Sequence, residues 1–255
     1  EMSARIAQGE GEIPELVTLA NSINSMAERL EHTRERERQM LLSVSHDLRT
    51  PLTSIRGYAE AIEDGVAESV PKAASVIVSE SRRLERLVAD LLDLARLEMA
   101  ALSLNVVATD VAAVVGATVE GFLPMASAGG ISLQTDLTSS ANALYARADP
   151  DRLAQVVANL VENALAHATT AVTVSLQAAA GGVVIAVDDD GRGIAGEDLP
   201  RIFERFYQAD RGSARGSGLG LAIVSELLRA MGGKIEAVSP TGPAGGTRMV
   251  VWLGG

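Results

Sequence analysis

At 255 residues the chain is long enough for one large domain or two small ones, and its 47% hydrophobic and 22% charged residues can fill a core, which excludes a disordered tail. A formal net charge of −11 argues against a general nucleic-acid binder, which needs a basic field over the phosphates. The lack of cysteine excludes disulfides, thiolate chemistry and zinc–cysteine sites.

No apolar run reaches the roughly 18 residues of a membrane span, and no signal peptide is visible. Glu1 falls within a helical pattern, as expected of a piece cut from a longer chain. The first hundred or so residues read as helix. Leu16, Leu19, Ile23, Met26 and Leu30 recur at alternating three- and four-residue steps, the seam of a coiled coil. In phase, the seam then meets Thr33, Glu37, Met40 and Val44, so its middle, "EHTRERERQ", is polar. That run is either a solvated helix face or a weak section that passes rotation or tilt between two stronger ones.

An apolar stripe follows through Leu41, Val44, Leu48, Leu52, Ile55, Ala59 and Ile62. "EDGVAESVP" breaks it with Gly65 and Pro71, and a second amphipathic helix runs through Val76, Leu84, Leu87, Leu91 and Leu94. Two such helices joined by a short turn make a hairpin, and one hairpin buries only one stripe. Two copies side by side make a four-helix bundle, so a homodimer is expected.

Within the first helix lies "SVSHDLRTPLTSI". His46 is two positions from both Val44 and Leu48, roughly 200° around the helix from each, so the pattern puts it off the buried stripe. It is either an ordinary exposed histidine or a nucleophile. Asp47 is placed to interact with one ring nitrogen and so raise the nucleophilicity of the other. Pro51 removes a backbone N–H and frees the carbonyl of Asp47, so a bend is expected just below the histidine. Thr50 is one turn on and can hold a water there.

From about Ser103 strands appear ("LSLNV", "ISLQTDL", "VTVSLQ", "VVIAVDD", "KIEAVS", "TRMVVWL"), mixed with helices over 110–128, 149–168 and 218–231. The mixture predicts an α/β sandwich with helices layered on one sheet face, its boundary near Ala100. Four of its segments suggest a nucleotide site without a Walker loop. "NLVENALAH" sets Asn159 and Asn163 one turn apart, either as surface asparagines or as amide ligands for a hard cation and phosphate. "DDDGRGI" follows the strand "VVIAV", which puts Asp189 at a sheet rim where it can accept from an exocyclic amine, with Gly191 and Gly193 letting the chain turn closely. It is not a calcium loop, because the twelfth position counted from Asp188 is Leu199 rather than glutamate. "RGSGLGLAIV" leads Gly216, Gly218, Leu219 and Gly220 into a helix whose N-terminus can bind phosphate. In "GPAGGTRMVVWL", Thr247 can reach a base through water. Between the second and third segments, "IFERFYQADRGSARG" has the composition of a mobile lid.

In order and spacing these pieces resemble the cytoplasmic part of a bacterial sensor histidine kinase over nearly the whole chain. "SHDLRTPL" resembles the H box, "NLVENA" the N box, "DDDGRGI" the G1 box, "FERFY" the F box and "GSGLGLAIV" the G2 box. "GEIPELVTLANSINSMAERL" resembles the end of a HAMP signal-relay module.

The resemblance implies residues 1–32 as relay and coiled coil, 33–101 as the dimerisation and phosphotransfer hairpin, and 102–255 as an ATP-binding domain of the histidine-kinase/Hsp90-type fold. It implies that His46 takes phosphate from ATP with Asp47 as acid/base partner, then passes it to an aspartate of a response regulator. Thr50 would orient water for the reverse, phosphatase, reaction. Asn163, and Asn159 with it, would serve Mg²⁺ and phosphate. Asp189 would read adenine, and the G2 glycines would cradle the phosphates. HAMP modules follow membrane spans, so the piece would be the cytoplasmic portion of an inner-membrane protein.

Two positions depart from the family pattern. Ala166 stands where a lysine often does, and Gln208 where a basic residue commonly follows the aromatic pair. Arg205, Arg211 or Arg215 would then supply the weakened phosphate contacts. An ATP-hydrolysing chaperone or repair ATPase is the rival enzyme, but it carries a glutamate base where Asn159 stands. A dimeric relay that binds nucleotide only structurally is the non-enzymatic rival.

Overall fold

The computed structural model describes residues 14–98, 104–136, 144–209, 218–242 and 245–255. By its internal contacts the chain divides into two compact units, Glu1–Leu84 and Glu85–Gly255.

Helix α1 runs over Pro14–Glu63, 50 residues, and continues through Pro51. It ends on Gly65 at φ +69°. There the Val66 amide donates to the Ala61 carbonyl at 3.0 Å and the Gly65 amide to that of Ile62 at 3.2 Å. This paired pattern satisfies the last carbonyls of a helix and needs a residue that tolerates the left-handed region. Helix α2, Val70–Glu98, starts where Ser69 accepts from the Lys72 amide at 3.4 Å. Among the described side chains of the two helices only Pro51, Ala73 and Leu87 are buried.

The second unit holds a five-stranded mixed sheet and a separate two-stranded one. In the larger sheet β2 (Ser132–Asp136), β4 (Ala171–Ala179), β5 (Gly182–Asp189), β7 (Thr247–Gly254) and β6 (Lys234–Val238) lie in that spatial order. Only β2 and β4 pair in parallel. Alternate residues face inward, as the strand period of two requires. Val172, Val174 and Leu176 of β4, Val183, Ile185 and Val187 of β5, and Met249, Val251 and Leu253 of β7 are buried.

The sheet is covered by α3 (Val111–Ala128), α4 (Pro150–His167) and α5 (Gly220–Ala230), with α4 packed against both of the others. Leu153, Val156, Val157, Leu160 and Val161 of α4 are fully buried, as are Ile223, Leu227 and Leu228 of α5. Each such side chain stabilises the fold by about 1.5–3 kcal/mol relative to exposure. Aspartates start two of the helices. Asp110 accepts from the Ala113 amide at 3.1 Å. Asp149 accepts from the Asp151 amide at 3.1 Å and the Arg152 amide at 3.2 Å, with Pro150 opening the first turn.

Three sequence expectations change. The first strand is β1, Val107–Asp110, rather than "LSLNV", because Val107 is where a ladder partner, Ala148, becomes available. Its partner β3, Tyr145–Ala148, carries no strand signal in the sequence, since "YARA" offers only two small inward residues as a pattern. And α3 is long and apolar enough, by length and composition, to cross a membrane. Its Val111, Val115 and Val119 are nonetheless buried in this domain, where one face of α3 packs on α4 and β2, while Leu123 and Met125 on it stay exposed. The HAMP resemblance begins at Gly11 and so falls partly on residues 1–13, outside the described residues, and the side chains of Leu16, Leu19 and Leu30 in the expected coiled-coil seam lie outside the described ones as well.

Candidate functional site

The β5–β7 ladder sets Asp189 directly opposite Thr247 at one rim of the sheet. Both are buried polar residues in an otherwise apolar layer. Asp189 accepts from the Gly191 amide at 2.9 Å. Burial pushes its carboxyl above the ordinary carboxylate value, against the lowering pull of the Gly191 amide, the nearby His167 and the Thr247 amide. A buried carboxylate in this state is short of a donor that a ligand amine can supply.

Beyond Asp189 the chain folds tightly against neighbouring backbone. A side chain at Gly191 would collide with the carbonyl of His167, the last residue of α4. The Gly246 amide donates to the Gly191 carbonyl at 2.6 Å. The Ser239 hydroxyl accepts from the Ile194 amide at 2.7 Å and donates to the Gly246 carbonyl at 2.8 Å. It also lies 3.5 Å from the Thr247 hydroxyl. Ser239 therefore locks the Asp189 loop to the β6–β7 turn, and it takes up the space beside Gly193, where a Cβ would stand 2.9 Å from its oxygen. In the sequence Ser239 marks only the end of a strand, because Ile194 is 45 residues away.

The second half of the site lies between α4 and α5. Asn159 and Asn163 lie one turn apart on α4 and both are half-buried. Asn159 Nδ2 is buried with no hydrogen-bond partner. A Cβ on Gly220, the first residue of α5, would stand 3.7 Å from Asn159 Oδ1, so the two helices meet closely there. The N-cap residue Leu219 is buried and gives no side-chain hydrogen bond to the first turn. A helix N-terminus without a side-chain cap, next to an orphaned amide donor, suits an anionic ligand.

Just before α5, Gly218 takes φ +68°, and a Cβ there would stand 2.8 Å from the Phe206 backbone. The Phe206 amide donates to the Gly218 carbonyl at 2.9 Å. Phe206 has φ +59°, the only described non-glycine residue with positive φ. Next to it the Tyr207 hydroxyl donates to Asp198, and Arg201 lies 4.3 Å from the tyrosine ring centroid. Arg205 and Gln208 are half-buried here.

Asn159, Asn163, Asp189, Gly191, Gly193, Gly218, Leu219, Gly220 and Thr247 thus belong to one unit, where α4, the β5 and β7 rim and the start of α5 converge. His46, Asp47 and Thr50 lie on α1 in the other unit, with Asp47 half-buried and Thr50 exposed. Gly216, Arg211, Arg215 and the second half of the expected lid lie outside the described residues.

No cluster of three or more His, Asp or Glu among the described residues could hold a metal ion by itself. A divalent cation here would therefore take amide oxygens from α4 and share the oxygens of the anionic ligand. That donor set fits Mg²⁺, which keeps few protein ligands.

Comparison with known proteins agrees with this arrangement. Residues 148–254 match the family model of histidine kinase-, DNA gyrase B- and HSP90-like ATPases, and residues 36–100 that of the His Kinase A (phospho-acceptor) domain. The chain is 35% identical over 254 residues to the signal transduction histidine-protein kinase AfsQ2 of Streptomyces coelicolor, covering 91% of this chain and 46% of that protein. It is 34% identical over 246 residues to the signal transduction histidine-protein kinase BaeS of Escherichia coli, covering 94% of this chain and 51% of that one. The chain thus spans about half the length of these curated relatives. Among solved structures, the histidine kinase AdeS of Acinetobacter baumannii superposes with a TM-score of 0.67 at 26% identity, over 82% of this chain and 97% of that one. Full-length ShkA in complex with AMPPNP gives 0.61 at 32% identity, over 86% of this chain and 46% of that one.

Proposed function

The chain belongs to the sensor histidine kinases of two-component systems, and on that footing we propose that it phosphorylates His46 with ATP and then passes the phosphoryl group to an aspartate of a response regulator. Residues 1–32 act as signal relay, 33–101 as the phosphotransfer hairpin and 102–255 as the ATP-binding domain. The working species is a homodimer associated with the inner membrane.

An imidazole nitrogen of His46 attacks the γ-phosphorus, the bond to the β-phosphate oxygen breaks, and ADP leaves. Asp47 stabilises the positive charge that develops on the ring and takes up its proton. Asp189 accepts from the adenine amine, with Thr247 beside it through water. Asn159 and the start of α5, with Gly216, Gly218, Leu219 and Gly220, bind the phosphates, and Gly191 and Gly193 let the chain turn closely around the base. Asn163, with Asn159, would hold Mg²⁺ through amide oxygens, and the ion would supply neutralisation of phosphate charge. Thr50 orients a water for dephosphorylation of the regulator.

The observation that carries this reading is the pairing of a buried polar rim, Asp189 with Thr247, and an orphaned donor, Asn159 Nδ2, in one domain. A base-reading end and a phosphate-binding end are what a nucleotide needs.

Labelling with [γ-³²P]ATP tests it. Label is expected on the wild-type chain and on His32→Gln, absent from His46→Gln, lost in mild acid and kept in alkali. Acid-stable label, or label persisting in His46→Gln, overturns the assignment. Thr50→Ala is expected to label normally while dephosphorylating the regulator more slowly. A parallel loss of both activities would make Thr50 a support of the helix instead.

A further inference from the structure

Asp190 lies one residue beyond the rim aspartate. It is exposed, yet its carboxylate is fully engaged by the chain itself. Oδ1 accepts from the Thr169 amide at 2.8 Å and the Thr170 amide at 3.0 Å. Oδ2 accepts from the Thr170 amide at 3.0 Å and from the Thr170 hydroxyl. The Asp190 amide in turn donates to the Ala171 carbonyl at 3.3 Å. Thr169 and Thr170 lie in the short connection that follows the end of α4, at His167, and Ala171 is the first residue of β4.

The two halves of the site hang on different elements. The rim half needs no help from Asp190. Its strands are laddered together from Gly182 to Asp189, and its loop is locked to the β6–β7 turn by Ser239 and Gly246. The phosphate half rides on α4, which carries Asn159 and Asn163 and ends where the His167 carbonyl abuts Gly191. Apolar packing holds α4 on the sheet, and being non-directional it leaves the register of the helix end to directional contacts. Charge-assisted hydrogen bonds are short and directional, and they supply that register.

We propose that Asp190 is a positioning residue that fixes the C-terminal end of α4 against the β5 rim and so sets the spacing between the adenine-reading and phosphate-binding ends of the site. This rests on the nucleotide reading above. With every acceptor taken by the Thr169–Thr170 segment, Asp190 acts through α4 and does not touch the nucleotide.

A ligand that spans both ends should sense the spacing, and a ligand that uses one end should not. The test measures ADP and adenosine affinity on the full 255-residue chain, by calorimetry and ligand-observed NMR, with thermal midpoints alongside. In Asp190→Ala the affinity for ADP is expected to fall about three- to tenfold, while that for adenosine stays within about twofold. Asp190→Asn keeps an acceptor for the two amides and should recover most of the loss. Unchanged ADP affinity in Asp190→Ala, or equal loss for ADP and adenosine, overturns the proposal. If that variant does not fold, Thr170→Val, which removes only the hydroxyl contact, carries the same comparison with a smaller loss expected. A wild-type chain that binds no ADP would instead defeat the nucleotide reading itself.

Discussion

Asp189 and Asp190 are adjacent carboxylates held in opposite ways. Burial raises the carboxyl of the first. The hydroxyl and then the amide of Thr170 pull the second well below the usual carboxylate range. The consequences for stability have opposite signs. A raised group contributes stability that is present below the unfolded value, about 3.9, and lost as pH rises through the folded one. Burial thus makes the ionised form of Asp189 costly in the empty fold, and a ligand amine offsets that cost. Asp189→Asn should lower ATP affinity at least about tenfold, since it leaves a donor facing a donor, a loss of ~1–3 kcal/mol. The same variant, without nucleotide, should unfold no earlier than the wild type at pH 7. Calorimetry paired with thermal circular dichroism checks both, and unchanged ATP affinity would remove Asp189 from the site. The depressed Asp190 contributes stability that is present above the unfolded value and lost as pH falls towards the folded one.

Two glycine-terminated elements show how the same backbone angle serves different ends. Gly65, closing α1, and Gly218, opening α5, have nearly the same φ, +69° and +68°. Around Gly65 a Cβ would meet nothing within 4 Å, whereas at Gly218 it would press on the Phe206 backbone at 2.8 Å. Gly65→Ala should therefore cost only the left-handed conformation, about 1–2 kcal/mol, read as an earlier unfolding of the helical pair. Gly218→Ala adds a collision with backbone that is itself at positive φ. It should weaken nucleotide binding as well as the fold, because the start of α5 has to move. If calorimetry shows ATP affinity kept in Gly218→Ala, the start of α5 does not bind phosphate.

At the scale of the whole molecule, the two units bury their side chains very differently. The second closes a layered core on itself, with α3, α4 and α5 over one sheet. The helical pair leaves Leu52, Tyr58, Val66, Val70 and Val78 exposed, a surface that a second hairpin would cover. Sedimentation at micromolar concentration should give a dimer. Leu52→Glu should shift it towards monomer and leave ATP affinity unchanged, since every proposed nucleotide contact lies within one chain's second unit. A monomeric wild type would remove the four-helix bundle and leave the chemistry of His46 standing.

The sequence by itself determined whatever depends on short separations. The helix periods, the helix starts near Asp110 and Asp149, the breaking Gly65 and the spacing of Asn159 and Asn163 can all be read within a few residues, because helix geometry is local. Strands β4 to β7 were legible from alternation, while β3 was not, since a four-residue edge of small side chains becomes a strand only when β1 arrives to pair with it. Only the tertiary structure decided which distant residues meet. Asp189 faces Thr247 through the ladder between β5 and β7, Ser239 reaches Ile194 across 45 residues, and Asp190 holds Thr169 across 21. Hydrogen bonds form between groups brought to about 3 Å, and only packing of the sheet and α4 brings these groups that close.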